Sequence, residues 1–106
     1  MKVNVLGTEY DFDGASHRED VRLCDNDGYV DFTTKTIRFE NNLNGNNPNS
    51  IANIPEYENK IKRHEITHAF FYESGLDSYA HNELLVDWIA IQFPKMLKAF
   101  KKAGAL

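Results

Sequence analysis

The sequence predicts an α+β fold: a small antiparallel sheet from the first half of the chain, packed on one long helix and one or two further helices. Three observations carry this. Residues 1–40 alternate apolar and polar side chains in short runs bounded by turn residues, the pattern of half-buried strands. Residues 54–75 and 82–93 instead repeat their apolar side chains every three to four positions, the pattern of helices. Between them lies a polar segment, residues 41–53, with seven asparagines, which cannot bury enough surface to form a core element.

Each element follows in order. "KVNVL" and "EYDF" alternate around "GT" and read as a hairpin. "GASHRED" is loop-like and "VRLC" reads as a short strand. "DNDG" is a turn signal, with Gly28 expected at a positive φ. "YVDF", "TTK" and "TIRFE" give a second hairpin, with Tyr29 and Asp31 on one face and Val30 and Phe32 on the other. The asparagine-rich segment is expected to be mobile, and a connector rather than a flap.

Pro55 and Glu56 mark the start of the first helix and Gly75 its end. Tyr57, Ile61, His64, His68 and Phe71 form one stripe at helical spacing. Ile66, Ala69 and Phe70 widen it, so the end of this helix is expected to be buried nearly all round. A second helix runs through "NELLVDWIAIQF", with Trp88 in the core. Pro94 is expected to kink or break it before "KMLKAFKKAG". That last stretch is amphipathic and basic, and is expected to pack against the domain rather than on a membrane.

A chain of 106 residues is expected to form a single domain, residues 1–106. Net charge is −4 and no basic block stands out, which argues against nucleic acid as a partner. No apolar run has the length of a signal peptide core or a membrane span. Cys24 is the one cysteine and has no internal disulfide partner; a small buried apolar role is expected, with zinc ligation as an inhibitory switch the alternative. A soluble cytoplasmic protein is the expectation.

The chemistry concentrates in His64-Glu65-Ile66-Thr67-His68, an HExxH motif. Residues four apart on an α-helix lie about 40° apart in angle, so both imidazoles can reach one ion. Glu65 is one step round, placed to hold a water and take its proton. A buried helix bearing two structural histidines is the plainer alternative, but such rings need hydrogen-bond partners, and a metal supplies one to each. A catalytic zinc (Zn2+) needs a third protein ligand. Glu83 lies 15 positions after His68, near the start of the next helix, where an antiparallel return brings it back over the first. Asp87 is on the same face, placed to accept from the far nitrogen of a ligand histidine. Glu83 is also a favourable acid for a first helical turn; it is read as the ligand because an HExxH helix precedes it. Tyr72, Tyr79 and His81 are candidates for stabilising an oxyanion, although Tyr72 also reads as core and the other two as surface. "DNDG" starts like a calcium loop but lacks the distant bidentate Glu.

HExxH followed by Asn-Glu-x-x-x-Asp, here His64, Glu65, His68, Asn82, Glu83 and Asp87, resembles the gluzincin clan of zinc metallopeptidases. The resemblance implies His64, His68 and Glu83 as zinc ligands, Glu65 as the catalytic base and Asp87 behind a ligand. The wider layout, from "VLGTEY" through "GYVDFTTKTI" and "HEITHAFFYESGL" to "NELLVDWIAIQFPKML", is similar to small HExxH proteins of phages and prophages related in plan to ImmA/IrrE-type peptidases. It implies a minimal zincin-like fold and peptide-bond hydrolysis. The long substrate-binding subdomains of full-size gluzincins are missing, which implies a restricted protein or peptide substrate, docked on a sheet edge. A catalytically silent metal-binding regulatory or interaction module is the alternative.

Overall fold

The computed structural model describes residues 1–44 and 51–106. The expectations of mobility and of a connector role for the asparagine-rich segment fall largely on residues 45–50, outside the described residues.

The first hairpin forms as expected. Strand β1 (Lys2–Val5) pairs antiparallel with β2 (Thr8–Ala15) through Leu6 and Gly7, both at positive φ, 50° and 95°. That turn matches the right-handed twist of its strands, and the Asn4 side chain accepts from the Gly7 N–H. The second hairpin joins β3 (Gly28–Asp31) to β4 (Thr36–Glu40). Asp31 Oδ1 organises its turn by accepting from the backbone N–H groups of Thr33 and Thr34.

Strand order is β1-β2-β4-β3. The two hairpins meet through a parallel pairing of β2 with β4, Phe12 opposite Ile37, so the sheet is mixed rather than wholly antiparallel. Burial explains the order: β2 and β4 each carry two large core side chains, Tyr10 and Phe12, and Ile37 and Phe39, against Val5 alone on β1 and none on β3, and this pairing puts both strands in the middle.

Between the hairpins the sequence reading needs four corrections. Gly14 and Ala15 belong to β2 rather than to a loop. "VRLC" is a 3-10 turn at Val21–Leu23, because the Asp20 side chain caps it by accepting from the Arg22 N–H. Leu23 is its buried residue and Cys24 is exposed. Gly28 is not at a positive φ; it opens β3 directly beneath the long helix.

That helix, α1 (Ile54–Glu73), is capped by the Asn53 side chain, has Pro55 in its first turn, and gives way to Gly75 at φ 77°. Ile61 and Ala69 seat it on Val5, Tyr10, Phe12, Ile37 and Phe39. At its end, Glu73 accepts from Thr8, Tyr10 and Lys35, tying both hairpins to α1. The short helix α2 (Asp77–Ala80) follows, and α3 (Glu83–Lys102), capped by Asn82, returns along α1.

α3 meets α1 through a narrow stripe that includes the fully buried Val86 and Ala90. A stripe this narrow leaves much of α3 outside. Trp88 is therefore 52% exposed rather than core, and the basic end around Phe100 is exposed rather than packed on the domain. Phe70 is 42% exposed, so the end of α1 is not buried all round. Pro94 sits inside α3 without ending it. Among the described residues, no helix is long and apolar enough to cross a membrane.

Gly28 shows what the approach of sheet and helix demands. A Cβ there would lie 2.9 Å from Glu65 Cγ and 2.9 Å from Ile61 Cγ2. Gly28→Ala is expected to destabilise the protein by about 1–3 kcal/mol, the usual cost of overpacking. Calorimetry checks this; an unchanged melting temperature would contradict the close contact.

Candidate metal centre

α1 presents His64 and His68 from successive turns, and α3 lays its first turn over them. Both carboxylate oxygens of Glu83 face the pair. Oε2 is 2.9 Å from His64 Nε2, and Oε1 is 3.1 Å from His68 Nε2. The two Nε2 atoms are 3.1 Å apart.

The far nitrogens decide what these atoms can do. His64 Nδ1 lies 3.0 Å from Asp87 Oδ1, and His68 Nδ1 lies 2.5 Å from the backbone carbonyl of Ala80. Burial disfavours the charged form of Asp87, but the His64 hydrogen bond and the Lys60 ammonium, 3.4 Å away, outweigh it and hold its pKa below the usual value. Carboxylate and carbonyl are both acceptors, so each ring places a proton on Nδ1. Each ring then turns Nε2 inward, toward Glu83 and the other ring. Two inward ring nitrogens and a carboxylate at these distances need a positive centre between them, a proton or a metal ion.

A metal ion fits that requirement. Two imidazoles and one carboxylate are a donor set for zinc, and the outer hydrogen bonds are those that orient metal-binding histidines. Donors around a tetrahedral zinc lie about 3.3 Å from one another, by the usual bond lengths of about 2.0–2.2 Å. The separations here are within a few tenths of that. His64, His68 and Glu83 could therefore hold a metal ion. The same set suits other divalent transition metals.

Comparison of the chain with protein-family models, curated proteins and solved structures finds no match.

Glu65 lies on the sheet side of the pair. It is 6% exposed, lines the same cleft, and packs against Gly28. Burial, and then the charge of Glu83, push its pKa up to about 8. The cleft holds about 220 Å³ between Asn26, Asp27 and Gly28 on one side and Tyr57, Lys60 and Ile61 on the other. Its sheet-side wall continues along β3, whose outer edge, among the described residues, pairs with no other strand.

The three oxyanion candidates separate. His81 lines an adjoining hollow along β3 with Glu65 and His68, its Nδ1 2.9 Å from the Asp77 carbonyl and its ring edge-on to Phe32. Tyr72 stacks flat on Phe32, beneath the Lys35 ammonium, and does not line the cleft. Tyr79 packs on Phe71 and is also away from it.

Sequence reading missed the mouth of the cleft. Tyr57 donates to Asp27 Oδ2 at 2.5 Å, joining α1 to the turn before β3. Its place on the stripe with His64 was the available signal. On β3, Arg22 donates to Asp31 and to the Tyr29 hydroxyl, its guanidinium 4.1 Å from the Tyr29 ring centre.

Proposed function

We propose that this protein is a zinc-dependent peptidase that cleaves peptide bonds in a restricted protein substrate. The observation that supports it most is the pairing of His64 Nδ1 with Asp87 and His68 Nδ1 with Ala80, which turns both Nε2 atoms toward Glu83. Structural histidines on a buried helix have no need of that convergence.

A bound zinc would supply Lewis-acid polarisation of a carbonyl and of water. Glu65 would hold the attacking water by hydrogen bond, take its proton and hand it to the leaving amine. Its burial suits the task, because a carboxylate lifted toward neutral pH is a stronger base and returns the proton readily. His81, which lines the adjoining hollow with Glu65 and His68, would face the developing oxyanion. A substrate strand would pair with the open edge of β3, laying its backbone along the cleft.

The cleft is small, so little remote binding energy is available to position a generic chain. The expected result is a few defined cleavages in a bacterial lysate and no rapid digestion of casein. New N-termini are mapped by mass spectrometry after incubation with zinc-loaded protein. Rapid casein digestion would overturn the restricted range; no new terminus in either mixture would overturn the peptidase reading.

A further inference from the structure

Pro94 has no N–H, so the carbonyl of Ala90, four residues earlier in α3, has no helical donor. Ala90 is fully buried against α1, out of reach of water. Its carbonyl is answered from the other helix: Arg63 Nε donates to it at 2.7 Å. The rest of the Arg63 guanidinium lies along α1, 3.5 Å from Glu56.

The position of this bond matters. Arg63 directly precedes His64, and Ala90 stands three residues after Asp87. The bond therefore lies in the next layer from the His64–Asp87 and His64–Glu83 contacts. Val86 and Ala90, the fully buried residues of α3, are both small and apolar, and apolar contact is non-directional. A helix packed that way can slide or rotate by an ångström at small cost. A charged donor on a single open carbonyl cannot, because it is strong and geometrically narrow.

We infer that Arg63 is a positioning residue for the metal centre: docked on the carbonyl that Pro94 leaves open, it sets the height and rotation of α3 that place Glu83 and Asp87 over His64 and His68. This rests on the His64–His68–Glu83 site binding a metal. The Ala90 carbonyl has two lone pairs, so an N–H restored at position 94 would share it with Arg63 rather than displace the bond.

The test separates positioning from satisfying a buried carbonyl. Arg63→Ala, Pro94→Ala and the double variant are each loaded with cobalt(II) in place of zinc. Affinity is read by competition with a chelator, coordination by the visible cobalt bands, and stability by melting of the metal-free protein. Arg63→Ala is expected to lower melting temperature, weaken cobalt at least tenfold and change its spectrum. Pro94→Ala alone is expected to keep affinity within twofold. In the double variant the backbone N–H regained at position 94 satisfies the Ala90 carbonyl, so melting temperature recovers while affinity and spectrum do not. Affinity that recovers together with melting temperature, or that Arg63→Ala leaves unchanged, overturns the inference alone. Wild-type protein that takes up no cobalt overturns the metal site and the inference with it.

Discussion

His64→Ala and His68→Ala proteins are expected to leave purification without metal, where the wild type retains about one ion per chain. Each substitution removes one of three donors and also frees its outer partner, the Asp87 carboxylate or the Ala80 carbonyl. A metal that binds only the folded state adds to stability by mass action, about 2.7 kcal/mol at a concentration one hundred times the dissociation constant. That increment should vanish in both variants, so that added zinc raises the melting temperature of the wild type only. Asp87→Asn gives a graded comparison. It keeps the shape and removes the charge behind His64, and should weaken the metal about ten- to a hundredfold. Elemental analysis of protein made without a histidine tag, with chelator competition, measures the series. Metal content in His64→Ala equal to the wild type would refute the site.

Glu65→Gln should separate chemistry from binding. The amide has nearly the size of the carboxyl it replaces, so the close packing against Gly28 persists. Burial already penalises the charged carboxylate, so a neutral group there should not lower stability. The amide cannot accept a proton from water, and loss of a general base costs typically about 10²–10⁴ in rate. The expected variant binds zinc and melts like the wild type, yet cleaves the physiological substrate at least a hundredfold more slowly. Loss of zinc as complete as in His64→Ala would show that the assigned roles are wrong.

The elements that sequence made legible are those governed by a local period. Helical spacing put His64, His68 and their stripe on one face, and Gly75 announced the turn that brings Glu83 and Asp87 back over them. Alternation identified both hairpins. What escaped reading depends on distant partners. The parallel meeting of β2 and β4 reflects which two strands carry the most core side chains, a comparison across the whole sheet. The partner of His68 is a backbone carbonyl, which carries no residue signature. Pro94 looked like a helix breaker because its remedy, Arg63, lies on the other helix. Trp88 and Cys24 were assigned inward by residue type, but inward positions went instead to Val86, Ala90 and Leu23, which the packing geometry favours.

The open edge of β3 carries a hazard, since a bare strand edge is a template for any extended chain, including another molecule of the same protein. Three features blunt it. β3 is four residues long, which offers few backbone bonds to a fibril-like stack. It opens on Gly28, which is poorly suited to strand growth. Arg22 lies over Tyr29 and is anchored to Asp31, setting fixed charge beside the strand, where a second uncharged sheet would otherwise settle. On the proposed reading, colloidal stability and selectivity would have one origin: an edge too short and too guarded for indiscriminate self-pairing would accept only a short visitor whose side chains suit its surroundings.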